Sequence, residues 1–88
     1  MSNQSVARRL REDIDSFRAG VLTLDGLQAS VEGHSRALEG MDASWLRLSQ
    51  RVEGRLDSLK FTSSADVVGP EVLHEVAQLE DYLGGLGL

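Results

Sequence analysis

Between Leu24 and Leu59 a series of large apolar residues falls at positions 24, 27, 31, 38, 41, 45, 48, 52, 56 and 59, with His34 filling the one gap, so that steps of three and four alternate almost without fault. A repeat of this kind puts all of those side chains on one face of a helix and makes a seam that has to be covered. Read as a single helix, residues 24–59 would form a rod about 54 Å long at 1.5 Å per residue. A lone rod cannot bury its seam, so either a second copy pairs with it or the chain folds back along it. Gly40-Met41-Asp42 favours folding back, because Gly40 suits the C′ position closing one helix and Asp42 the N-cap of another beginning at Ala43. Glycines at 26, 33, 40 and 54 would also each cost about 1 kcal/mol relative to alanine inside an unbroken rod.

The flanking segments supply the cover. Val6, Leu10, Ile14 and Phe17 make one stripe, ended by Gly20 as a C′ residue, and Thr23 caps the next helix with Asp25 at its positive dipole end. Pro70 suits the first position of a last helix that buries Val72, Leu73, Val76, Leu79, Tyr82 and Leu83, and Phe61 to Gly69 reads as a polar, β-leaning loop. The expectation is all-α: a small antiparallel four-helix bundle with helices at about 5–19, 23–40, 43–60 and 70–83. Residues 1–88 form one domain, frayed at 1–4 and 84–88.

Size and composition bound the chemistry. A chain of 88 residues has room for one modest core, and with no cysteine it has neither disulfides nor thiolate sites. No apolar run exceeds two residues and the opening MSNQSVARRLRED has no apolar h-region, so the expected setting is cytoplasmic, with no membrane partner. Phosphate-loop, nucleophile-elbow, dinucleotide and zinc-protease signatures are missing. His34 in an apolar stripe reads as a core or boundary histidine. Glu71-x-x-His74 has the spacing of half a di-iron site but lacks the mate and the further glutamates such a site needs. Arg8, Arg9 and Arg11 are too few, and too near Glu12 and Asp13, for a nucleic-acid arm. No enzyme activity, cofactor, metal or nucleic-acid ligand is expected, and the reading that remains is a protein that binds another protein.

Charge points to the kind of partner. Residues 1–60 carry nine bases and nine acids, whereas residues 61–88 carry Asp66, Glu71, Glu75, Glu80 and Asp81 with no lysine or arginine, so the whole formal charge of −5 belongs to the last third. Such a field steers a basic partner and repels phosphate backbones. Asp66, Glu71, Glu75, Glu80 and Asp81 are the candidate recognition residues, with Tyr82 as an aromatic anchor at their rim. Arg47, Arg51 and Arg55, at successive steps of four, read as a solvated ridge.

The order of elements resembles a known family. A first helix ending in glycine, the turn Gly20-Val-Leu-Thr-Leu-Asp-Gly-Leu27, two further helices and a last helix opened by an acidic residue resemble, over residues 8–83 in layout, the small helical bacterial immunity proteins of the colicin D type, and the Leu38-Glu39-Gly40 and Trp45 stretch is similar to one in bacterial chains of unassigned role. That resemblance implies an inhibitor that covers the positive cleft of an RNA-cleaving toxin domain. The alternative is a homo-oligomeric coiled-coil structural or adaptor protein, in which residues 24–59 pair as a homodimer through the seam.

Overall fold

The computed structural model describes residues 2–62 and 65–88, and the side chains of these except 62 and 65–67. Four helices account for nearly all of them: α1 (Asn3–Arg18), α2 (Leu24–Ala37), α3 (Ala43–Thr62) and α4 (Ala65–Gly85). Each packs against the next in the chain and α4 closes onto α1, so chain order runs round a ring, the arrangement of a small all-α four-helix bundle. The Cα radius of gyration of 12.4 Å matches the ~12 Å expected for a compact domain of this length. No helix among the described residues is long and apolar enough to cross a membrane.

The seam folds back on itself. α2 stops at Ala37, Leu38 turns extended (ψ 129°), and the side chain of Asp42 accepts the Trp45 amide at 3.2 Å to start α3. Gly40 adopts φ +69°, but within the link two residues past the Leu38 cap rather than as the C′ residue. The amide of Asn3 pairs with the backbone of Glu39, accepting its N–H at 2.9 Å and donating to its carbonyl at 2.8 Å, so the start of α1 pins the link. Leu27, Val31, Leu38, Trp45, Val52, Leu56 and Leu59 are all buried, against Leu10 and Ile14 of α1 and Val72, Val76, Leu79 and Leu83 of α4. Leu24, Met41, Leu48, Leu73, Phe17 and Tyr82 pack partly buried around them.

One expectation needs correction. α4 begins at Ala65, so Pro70 lies inside the helix and not at its first position, and of the segment Phe61 to Gly69 only Ser63 and Ser64 lie outside the described residues. The reason is Val68, which sits four residues before Val72 and extends the buried stripe of α4 backward onto the core, outweighing the backbone bond that Pro70 cannot donate. At its C-terminus α4 closes in a turn. Leu88 N–H bonds to the Leu83 carbonyl at 2.9 Å and Gly87 N–H to that of Gly84 at 3.1 Å, with Gly87 at φ +80°, a Schellman closure that returns Leu88 to the core. At the other terminus Ser2 caps α1, accepting the Ser5 amide.

The same closure ends α1, where Val21 and Gly20 bond back to Ser16 and Phe17 at 2.9 and 3.0 Å and Gly20 holds φ +79°. A side chain there is strained, whereas Gly33 and Gly54 lie in helix interiors with nothing within 4 Å of an added Cβ. Urea denaturation should therefore find Gly20→Ala destabilised by about 1 kcal/mol and Gly33→Ala and Gly54→Ala each stabilised by about 0.5–1 kcal/mol.

Candidate partner-binding surface

Ring order decides what the acidic helix faces. α1 carries four bases and three acids and α3 four bases and two acids, while α2 carries one base and two acids and α4 only acids. Helices with an excess of base therefore alternate with helices with an excess of acid. The ion pairs between helices follow suit: Arg18 of α1 with Glu80 of α4 at 3.8 Å, Lys60 of α3 with Asp25 of α2, and Arg55 of α3 with both Glu71 and Glu75 of α4 at 3.5 and 3.8 Å. Arg51 also donates to Gln78, which in turn donates to Glu75 at 3.0 Å. The Arg47, Arg51 and Arg55 ridge is exposed along its length, and from it Arg51 and Arg55 reach α4.

The candidate recognition residues are accordingly divided. Glu71, Glu75 and Tyr82 lie on the α3 side of α4, Glu80 lies on the α1 side, where its carbonyl also accepts from Arg11 at 3.3 Å, and Asp81 is exposed between them. Asp66 falls in the first turn of α4, with its side chain outside those described. His74 is exposed and Glu71 is held by Arg55, and among the described residues no group of three or more His, Asp or Glu side chains converges as a metal site.

Tyr82 does more than rim the surface. Its ring stacks on Trp45 with centroids 5.6 Å apart at 43°, and its hydroxyl donates at 2.7 Å to the same Asp42 oxygen that caps α3. Sequence patterning places Tyr82 on the helix face but carries no signal for this bond, which spans forty residues. The Tyr82 hydroxyl, then the Trp45 amide, hold the Asp42 carboxyl below its ordinary 3.8, and the carboxylate beside Tyr82 holds the phenol above its ordinary 10.0.

Between α1 and α2 lies a cluster with the residue types of a hydrolytic triad. Ser30 Oγ donates to Asp13 at 2.6 Å, and His34 Nδ1 lies 2.9 Å from the Ser30 carbonyl and 3.0 Å from its Oγ. A carbonyl only accepts, so Nδ1 carries the proton, and the serine proton is committed to the carboxylate rather than to a histidine base. This wiring orders α1 against α2. A depression of about 420 Å3 beside Thr23, Leu24 and Phe61 has Asp25 and Lys60 as its charged groups among the described residues, and they face each other. Comparisons with protein-family models, with curated proteins and with solved structures find no match to this chain.

The Asp42–Tyr82 bond has a pH signature. A depressed carboxyl gives stability that is present above its ordinary 3.8 and lost as pH falls through the lowered value, and a raised phenol gives stability that is present below 10.0 and lost as pH rises past it. Tyr82→Phe should therefore be less stable than the parent by a constant margin between about pH 5 and 9. That margin, followed by urea denaturation across pH, should shrink below about pH 4 and above about pH 10.

Proposed function

We propose that this chain is a non-catalytic protein-binding module, an acidic inhibitor of the immunity or antitoxin type that docks on a basic toxin or nuclease domain in a bacterial cytoplasm. The observation that carries the reading is the surplus on α4: five carboxylates and no lysine or arginine, of which the excess bases of α1 and α3 offset three, while the net acid of α2 and the link residues Glu39 and Asp42 bring the molecule to a charge of −5. A positive cleft shaped for phosphates gains association rate and orientation from such a field. Asp66, Glu71, Glu75, Glu80 and Asp81 supply it. Arg55 holds Glu71 and Glu75 in place at the flank of the bundle, where a partner's base competes with it for the same oxygens, and Tyr82 anchors the rim.

The resemblance to immunity proteins of the colicin D type supports the same reading, since it implies the same kind of partner. The alternative is a homo-oligomeric coiled-coil structural or adaptor protein pairing through the seam, and burial of the seam side chains within one chain supports the inhibitor reading over it. Affinity capture from the native host, followed by calorimetry of the purified partner at 50 and 500 mM salt, tests the proposal. The expected partner is basic and binds about tenfold or more weakly at the higher salt. A neutral or acidic partner, or a salt-independent affinity, overturns it.

A further inference from the structure

The groove between α2 and α3 holds an anomaly that the fold does not require. Ser35 is 5% exposed, its Oγ has no hydrogen-bond partner, and it lines a cleft of about 150 Å3 with Ser49, Gln50, Glu53, Arg36 and Leu46. An unsatisfied buried hydroxyl is disfavoured, and alanine would pack at the same place without that cost. The neighbouring Ser49 shows what satisfaction looks like, with its hydroxyl donating to the Leu46 carbonyl at 3.2 Å. Such a cleft is too small for a typical substrate, for which about 300 Å3 or more is usual, but it fits the end of one side chain.

We propose that this cleft is a pocket for the ammonium group of a lysine side chain presented by a protein partner. Three of its lining residues carry acceptors, Ser35 a hydroxyl, Gln50 an amide oxygen and Glu53 a carboxylate, and an ammonium brings three donors. Leu46, 52% exposed at the rim, offers apolar surface to the aliphatic stem. The two charges lining the cleft, Glu53 and Arg36, cancel, and Glu32, near enough to act on Glu53, tips the balance toward a cation. Burial, first among the influences on Glu53, holds its carboxyl above the ordinary 4.5, with Glu32 adding to it and Arg36 opposing, so a cation placed there relieves a group short of solvation. The source of the ammonium rests on the basic-partner reading above. The pocket itself does not, and it adds the α2–α3 groove to the α4 carboxylates as a contact surface.

The test uses the full chain labelled with 15N and titrated with Nα-acetyl-lysine methylamide, with the norleucine analogue as the uncharged control. The expected result is saturable shifts at the amides of residues 35, 36, 46, 49, 50 and 53 with the lysine probe only. Glu53→Gln and Ser35→Ala should each weaken that binding tenfold or more, while Ser35→Ala, freed of an unsatisfied hydroxyl, melts no lower than the parent. Shifts spread evenly over Glu71, Glu75 and Glu80, equal response to norleucine, or unchanged binding in both variants would overturn the pocket. A basic partner captured from the host while the lysine probe fails would leave the proposed function standing and remove this site, and the reverse outcome would separate them the other way.

Discussion

Trp45 is the contact on which the rest of the bundle depends. It is the largest fully buried side chain, it occupies the first turn of α3, and four of its contacts lead to different elements: its amide to the Asp42 cap, its indole N–H to the Ser35 carbonyl of α2 at 3.3 Å, its ring to Tyr82 of α4, and its body to the common core. The Ser35 carbonyl belongs to the last turn of α2, where helix carbonyls lack partners, so the indole both fills the core and caps the helix it folds back upon. Truncating a buried tryptophan typically costs about 3–5 kcal/mol, a large share of the ~4–13 kcal/mol that holds a domain of this size together. The fold-back at residues 38–42 and the position of α4 are therefore set by the same side chain.

Electrostatics follow from the ring rather than create it. Alternating excess of base and acid from helix to helix makes each neighbouring pair attractive on balance and each diagonal pair repulsive, which favours this cyclic order over others with the same core. Individually, the half-exposed pairs contribute little, within the ~0–1 kcal/mol usual for surface ion pairs. Their value lies in orientation: Arg55 bridging two glutamates and Arg51 reaching Gln78 hold α3 against α4 in one register. The surplus of acid on α4 exceeds what this arrangement needs, and that surplus is what a partner would meet.

Most of the fold was legible in the sequence because it rests on periodicity. The stripes of all four helices, the Thr23 and Asp42 caps and the left-handed Gly20 needed only local rules. The start of α4 was obscured because Pro70 and the neighbouring valines are strong local signals for a break, whereas the contact that overrides them, Val68 on the core, is made only once the other helices are in place. The candidate site was legible as charge but not as geometry. That Glu71 and Glu75 share Arg55 depends on which helix lies beside α4, and no spacing within α4 encodes it. Ser35 carried a faint trace, being a hydroxyl four residues after Val31 on an inward face, but that it lacks a partner emerges only from the packing.

The central claim is that one chain buries its own seam, and the mass in solution tests it most directly. Light scattering on a size-exclusion column, over a hundredfold range of concentration, should give 9.6 kDa throughout. A stable dimer, or a mass that rises with concentration, would mean that the seam from Leu24 to Leu59 is completed by a second copy, and would contradict the account.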